Sequence, residues 1–487
     1  DESRQSELSQ PFFGQPAKSN GYVSKAHTRR WSYNFQQLLN WHHQFGEHDV
    51  EAMVGHEYYR TRYYVLAGSK SNIFSIFNSE LDAAIVDGSI GSYTTDYNTE
   101  GFFGRAQYNY SQKYFGSFSY RRDASSRFDP DNRWGNFWSF GGAWILSKEK
   151  WFESSWIDEL KLKASYGENG NDGIGSYMYT KYFKISNSNN EVSLTPSSLG
   201  NPEISWEKNG KFNIGADFSL LKNRIWGSIE YYSNKTSDML SMVYLPVSFG
   251  WGGYYDNIGN MVNRGVEIDL NSNIIETKDF SWSVNLNLTH FKNKVLELAP
   301  ELNGQMIDAG RIYREDESMY QLYLPKYAGV NPETGESQWA LLKPDAEGNT
   351  VTTSYSTATE NRFATGDILP KVYGGFGTSF TAYGFDLSLS FAYQLGGRIL
   401  DYTYQEMMSP AATGSALHKD MLNVWTSENK NTDVPRMNVN DKYTNRLSDR
   451  FLTSSDYLSL QNITFGYTLP KNLTRKLQIE EIGRAHV

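Results

Sequence analysis

Apolar and polar residues alternate with a period of two in one run after another along this chain. In the sharpest case Phe212, Ile214, Ala216, Phe218 and Leu220 interleave with Asn213, Gly215, Asp217 and Ser219. Successive side chains of a strand point to opposite faces, so such a run has one apolar and one polar side. Lys222-Asn223 predicts a tight turn into the next run, where Ile225, Gly227, Ile229 and Tyr231 alternate with Trp226, Ser228, Glu230 and Tyr232. A second hairpin sets Val266, Ile268 and Leu270 before a Lys278-Asp279 turn, and Trp282, Val284, Leu286 and Leu288 after it. A third turns at Tyr383-Gly384 into Phe385, Leu387, Leu389 and Phe391, and earlier turns fall near Gly46-Glu47 and Gln112-Lys113. The pattern recurs about fifteen times, which predicts an all-β, antiparallel chain of about fifteen strands.

The short turns alternate with long polar connections at 67–98, 169–204, 237–259, 299–318 and 401–456, the last holding a candidate short helix at 417–425. Runs of about 9–16 residues exceed the usual soluble strand of ~5–6. Long strands with short turns at one end and long loops at the other form the arrangement of an outer-membrane barrel. The alternative is a soluble sandwich or propeller whose apolar face packs inward, because period alone does not say which face meets which solvent. In a barrel, Arg105, Arg121, Lys161, Lys163, Asp217, Glu230, Glu267 and Asp269 face the lumen, since Lys or Arg facing lipid at mid-depth costs ~2–4 kcal/mol.

Composition narrows the choice. Among 487 residues the net charge is -9, with Lys and Arg scattered, which speaks against nucleic acid as a partner. The absence of cysteine removes disulfides, thiolate metal sites and thiol nucleophiles. No apolar run reaches the length of a membrane helix, and mean hydropathy is -0.59, as expected when only alternate strand residues touch lipid. Aromatic residues make up 15%, with 34 Tyr and 13 Trp, the residue types of membrane-interface belts. The chain opens at Asp1, so a leader is expected upstream and the sequence reads as a fragment. Residues 482–487 read as an adapter-derived, non-native tail.

Candidate chemistry is sparse. His42 and His43 are neighbours on a strand and point to opposite faces, so with His48 they do not converge as zinc ligands; no metal or cofactor is expected. Glu315, Asp316 and Glu317 read as a solvated charge run, and the glycine-rich 167–175 segment as a mobile loop. No Ser/His/Asp grouping sits in an α/β context, and no catalytic residue is expected. Trp251, Tyr254 and Tyr255, in a glycine-flanked loop, are candidates for substrate contact by stacking on sugar rings; the alternative is a cluster in the interface belt.

Several segments together resemble the SusC/RagA family of TonB-linked outer-membrane proteins. They are RRDASSRFDPDNRWGNF (Arg121–Phe137), LKLKASYGENGN (Leu160–Asn171), NPEISWEKNGKFNIGADF (Asn201–Phe218) and NIGNMVNRGVEIDL (Asn257–Leu270). KYAGVNPETGE (Lys326–Glu336), GDILPKVYGGFGTSF (Gly366–Phe380), WTSENKNTDVPR (Trp425–Arg436) and SDYLSLQNITFGYTLPKNL (Ser455–Leu473) follow in the family's order. Ala124 stands where the family usually has Gly, and Ser459 and Gln461 where it tends to have basic residues. Arg121, Arg122, Asp123 and Arg127 are expected to form a charged network near the rim, with Asp129 and Asp131 capping the loop.

The resemblance implies a partial antiparallel transmembrane β-barrel, about 15 strands of a 22-stranded whole, with the N-terminal plug absent. The expected organisation is an extracellular loop remnant over 1–28, receptor barrel over 29–481 and the tail over 482–487. The implied function is TonB-dependent import of oligosaccharides or peptides across the outer membrane of a Gram-negative, Bacteroidetes-type cell. The implied partners are a SusD-like surface lipoprotein, TonB acting through the plug, outer-membrane lipid, and a glycan or peptide ligand. The alternatives are a receptor for a metal chelate or vitamin, and an extracellular glycan-binding β-protein with no membrane role.

Overall fold

Alternation becomes a ladder of long strands in the computed structural model, which describes residues 1–12, 18–308, 310–409, 416–438, 445–470 and 474. The principal strands are β1 (Glu2–Ser9), β2 (Tyr22–Phe45), β3 (His48–Ile73), β4 (Ala84–Tyr110), β5 (Tyr114–Ser125), β6 (Trp134–Ile145) and β7 (Ile157–Asn171). They continue with β8 (Glu207–Leu220), β9 (Ile225–Ser237), β10 (Asn260–Glu276), β11 (Phe280–Glu297), β12 (Val372–Ala382), β13 (Phe385–Leu395) and β14 (Tyr457–Tyr467). Hydrogen bonding follows chain order from β1 to β14 with no crossover, so among the described residues fourteen strands stand against about fifteen expected. The chain divides into two compact units, described separately below: Asp1–Gly142 with Tyr166–Gly210 and Thr236–Ile258, and Ala143–Ser165 with Lys211–Lys235 and Gly259–Val487.

Turn chemistry sets the register. Ser111 and Gln112 join β4 to β5 with φ of 54° and 52°, and Tyr383 and Gly384 join β12 to β13 with φ of 50° and 92°. Ser111 and Gln112 belong to a three-residue loop between the paired Tyr110 and Tyr114, whereas Tyr383-Gly384, between the paired Ala382 and Phe385, is the two-residue turn whose positive φ values match the twist of paired strands. Tyr383 adopts it without glycine's freedom.

Two expected loops are largely strand. The 1–28 segment carries β1, which pairs with β2 from Glu2 opposite Arg29 to Ser9 opposite Tyr22. Its sequence, ESRQSELS, has almost no apolar partners to alternate with, so period two gave no signal. The 67–98 connection shrinks to the residues between Ile73 and Ala84, because β3 and β4 keep pairing through polar and tyrosine-rich positions.

The connection between β11 and β12 instead folds into structure of its own. It contains a four-stranded sheet of Gln305–Asp308, Arg311–Arg314, Gln321–Leu324 and Phe363–Asp367, a three-stranded sheet, and a helix at Tyr355–Glu360. The expected helix at 417–425 is a 3-10 turn over Lys419–Asn423, and a helix not foreseen forms at Tyr402–Met407. The 482–487 tail, and all but residue 474 of 471–481, lie outside the described residues.

Burial is inverted between strands and connections. Mid-strand Leu39 and Val54 are 70% and 56% exposed, and Ile214 and Phe465 are exposed as well. The buried apolar clusters lie in the connections and at the long-loop ends of strands: Phe128, Ile204 and Trp206 in one, Met408, Met421, Val434 and Phe451 in another. A water-soluble sandwich hides its strand centres, and these strands display them.

Candidate functional site

Parity assigns the polar side chains to one face of each strand, and register then assembles them into networks. In the first unit Glu57 of β3 lies opposite Gly101 of β4, which lies opposite Asp123 of β5. Arg121 reaches across this row: its Nη2 donates to Glu57 Oε2 at 2.9 Å and its Nε to Asp123 Oδ1 at 2.7 Å. Gly101 is the clearance for that reach, because a Cβ there would lie 2.2 Å from Asp123 Oδ1 and 2.7 Å from Arg121 Nη2. Asn34 Nδ2 completes the chain by donating to Glu57 Oε1 at 2.9 Å.

Arg105 shares this polar face with Glu51. With the Gln107 amide turned to satisfy both neighbours, its oxygen accepts from Arg105 at 2.7 Å and its nitrogen donates to Glu51 at 3.2 Å. A cavity of about 490 Å³ opens beside them, lined by Asn40, His42, Glu51, Met53, Arg105 and Gln107. His42 Nε2 lies 2.7 Å from Asp49, His43 is stacked between Trp41 and Phe45, and His48 Nδ1 lies 2.7 Å from the Tyr108 hydroxyl. His43 and His48 thus share an aromatic row through Phe45, and His42 lies apart from them beside Asp49.

Arg122 leaves the charged network expected for it. Adjacent strand residues alternate in direction, so Arg121 and Arg122 point to opposite faces, and the Arg122 guanidinium lies over Trp134 at 5.1 Å. Arg127 turns instead to Asp172, donating to its carbonyl at 2.8 Å and lying 3.3 Å from Oδ1. Asp172 Oδ2 also accepts from Tyr97 at 2.8 Å and Ser125 at 2.6 Å. The 167–175 segment, expected as a mobile loop, is therefore strand through Asn171 and pinned at the residue after it.

In the second unit Lys163 of β7 sits between Asp217 of β8, at 2.8 Å, and Glu230 of β9, while Lys161 lies 3.6 Å from Asp217. Glu267 and Asp269 of β10 lie opposite Thr289 and Asn287, polar against polar, while Ile268 and Leu270 lie opposite Leu288 and Leu286. Asn271 donates to Asp269 at 2.7 Å. The lysine pairs are about one-third exposed, so each adds little stability; their effect is a wettable surface carrying both signs. The 315–317 charge run is tied down, with Asp316 2.8 Å from Lys294 and Glu315 accepting from the Leu298 amide at 3.1 Å.

The aromatic candidates divide. Tyr254 and Tyr255 lie on the strand Gly253–Asn257, which pairs with Leu240–Tyr244, and Trp251 precedes it. Tyr255 packs against Phe128, Phe137, Ile174, Ile204 and Trp206, so its ring supports the loop. Asn201 donates to the Tyr255 carbonyl at 3.1 Å and to Asp256 at 3.0 Å, and Asn257 exchanges bonds with the Ser205 amide and carbonyl at 2.8 and 3.0 Å. Trp206 Nε1 donates to the Arg133 carbonyl at 2.7 Å. The segments 127–134 and 201–207 are thus parts of one knot.

The loops of the second unit are also joined. Glu336 pairs with Arg436 at 2.9 Å, and Asp449 Oδ1 accepts from the Tyr327 amide at 2.6 Å. Burial pushes the Asp449 carboxyl above its usual range and the Tyr327 hydroxyl up to about 12. Glu57, Asp96 and Asp172 were not singled out from sequence. For Glu57 the signal was present, since it shares parity with Glu51; its partner Arg121, brought to it by the register of β3, β4 and β5, was not.

The described residues contain no group of three or more His, Cys, Asp or Glu able to hold a metal ion. What they do contain is two polar surfaces on strands whose other faces are apolar and exposed. Residues 2–364 match the model of the family described as TonB dependent receptor-like, beta-barrel. The chain belongs to this family. It is a transmembrane β-barrel chain of the outer membrane, of the SusC/RagA type, and the family is one of receptors and transporters.

Among its barrel relatives, TonB-dependent receptor P3 of Formosa agariphila is 31% identical over 474 residues, which cover 92% of this chain and 46% of the relative. TonB-dependent receptor SusC of Bacteroides thetaiotaomicron is 27% identical over 412 residues, 80% of this chain and 40% of that one. The solved structure of the RagAB peptide transporter matches with a TM-score of 0.81 and 28% identity, covering 97% of this chain and 53% of the matched chain. The chain therefore spans about half the length of the relatives it matches.

Proposed function

We propose that the chain is the barrel portion of a TonB-dependent importer of oligosaccharides or peptides that works with a SusD-like surface lipoprotein. The barrel portion begins with β1 at Glu2–Ser9, ahead of the start at 29 expected from sequence, its polar faces line the lumen, and its long connections meet the ligand. The observation that carries this reading is the division of each strand into an exposed apolar face and a face of paired charges, in a chain similar over 97% of its length to a solved peptide transporter. Ion pairs such as Lys161 and Lys163 with Asp217 and Glu230 place two charges of each sign together on the wall, which suits passage of neutral or zwitterionic oligomers. TonB acts through a plug supplied by the rest of the protein. No bond is made or broken.

The test uses the complete protein in its own outer membrane. Deletion of the adjacent lipoprotein gene and, separately, of TonB is expected to abolish uptake of the oligosaccharide or peptide that supports growth, while barrel assembly continues. Uptake that persists without TonB overturns the proposal. Trp251→Ala and Tyr254→Ala are expected to weaken capture if those rings touch ligand, and Tyr255→Ala to loosen the loop instead.

A further inference from the structure

Towards the long-loop end, the polar face of β2, β3 and β4 changes from paired charge to phenol and hydroxyl. Register sets out its rows from the Glu57 network onwards: Asn34, Tyr59 and Thr99, then Ser32, Thr61 and Tyr97. Arg30, Tyr63 and Thr95 follow, then Thr28, Val65 and Tyr93. Each row carries one tyrosine, taken alternately from β3 and β4. Rows are two residues apart, so the rings step along ~20 Å of wall. No Asp or Glu stands in these rows. The acids beside them are already committed, Glu57 to Arg121 and Asn34, and Asp172 to Arg127, Tyr97 and Ser125.

The rings are held in place. Tyr59 meets Tyr97 edge to face at 6.2 Å, and Tyr63 meets Tyr93 in the same way at 6.3 Å, each a diagonal pair across β3 and β4. An arginine braces each pair: Arg127 lies over Tyr97 at 4.4 Å and Arg30 over Tyr63 at 5.0 Å. Tyr97 is fixed further by its hydroxyl, which donates to Asp172 at 2.8 Å. The hydroxyls of Ser32, Tyr63, Tyr93, Thr95 and Thr99 have no hydrogen-bond partner among the described residues, and Tyr93 is 57% exposed. The strip therefore combines ordered rings with open hydroxyls.

We propose that this strip of wall is a binding track for a neutral oligosaccharide, which makes sugar chains rather than peptides the substrate. Phenol rings offer flat apolar surface to the C–H faces of pyranose rings, and hydroxyls that both donate and accept meet a chain of hydroxyls. A peptide brings an ammonium terminus and charged side chains, and the strip has no carboxylate to meet a cation. Nor can a peptide add itself here as a strand, because β2, β3 and β4 are each paired on both sides. The braced rings are ordered before ligand arrives, so little freedom is lost on binding. The inference rests on the importer reading, since only a substrate crossing the lumen meets this face.

The complete protein in its own outer membrane tests it, against a strain lacking the gene. Cells receive two probes of one mass range, a neutral partial hydrolysate of mixed plant, fungal and algal polysaccharides and a tryptic digest of casein, and mass spectrometry follows the loss of each from the medium. Loss of the sugar fraction that needs both this protein and TonB is expected. Tyr63→Leu with Tyr93→Leu should slow it about tenfold, and Tyr63→Phe with Tyr93→Phe by less, because the rings remain. Tyr93→Leu alone, at an exposed ring, keeps the test decisive if the double change fails to assemble. Uptake of the peptides, alone or equally with the sugars, overturns the proposal, as does sugar uptake unchanged in the Leu variants. TonB-dependent uptake of neither fraction fails the importer reading itself.

Discussion

The long strands and the connections between them treat the same residue types in opposite ways. Leu39 stands 70% exposed in mid-strand, whereas Phe451, in the connection before β14, is 2% exposed within a cluster of Met408, Met421 and Val434. One chain is folding in two solvents. In the connections, burial removes apolar surface from water, and each element gathers a small core of its own. On the strands, exposure costs nothing where hydrocarbon is the neighbour, and the polar face must instead be satisfied across strands.

The contrast breaks most sharply where charge is placed on the apolar face. Phe212→Lys, Ile214→Lys and Phe218→Lys together are expected to prevent outer-membrane assembly of the complete protein, since each such charge costs ~2–4 kcal/mol at mid-depth. Loss of the heat-modifiable band on unboiled gels is the readout. Normal folding of the variant in water would mean that the strands' apolar face is not in lipid.

A smaller effect is expected from the connections. Phe451→Ala removes a fully buried ring and should cost about 3–5 kcal/mol. That cost is local: hydrogen exchange is expected to speed up around 401–408 and 419–434 while the strands stay protected and the barrel stays heat-modifiable. An equal change in strand protection would show that the loop core and the strands are not separate in stability.

The smallest effect concerns pH. Burial raises the Asp449 carboxyl in the folded state, so its contribution is fully present below the unfolded value near 3.9 and is lost as pH rises through the raised folded value. Asp449→Asn keeps an acceptor for the Tyr327 amide and removes the titration. Hydrogen exchange at Tyr327 is expected to become less pH-dependent between pH 4 and 7 in this variant than in wild type. An unchanged pH slope would assign the dependence to another group.

Much of this was legible in sequence, and what was hidden has a physical cause. The Phe212, Val266 and Phe385 hairpins and their turns followed from period two, because lipid on one side and water on the other enforce it. β1 was hidden, since a strand of almost wholly polar residues has no apolar parity to read. The halves of β3 and β4 far from the short turns were hidden for the same reason: there Arg60, Arg62 and Asp96 replace the apolar residues that mark a face. The polar positions Arg105, Arg121, Asp217 and Glu230 were readable, but Glu57, Asp96 and Asp172 become their neighbours only through register. Arg122 was grouped with Arg121 by sequence adjacency, and a strand sends neighbours to opposite sides.

Trp206 and Asn201 tie residues 127–134, 201–207 and 240–257 through shared hydrogen bonds and one apolar cluster. Three surface loops that are far apart in sequence then open in a single cooperative event. A protease at the cell surface meets either all three closed or all three loose, and one cut among them releases its neighbours as well.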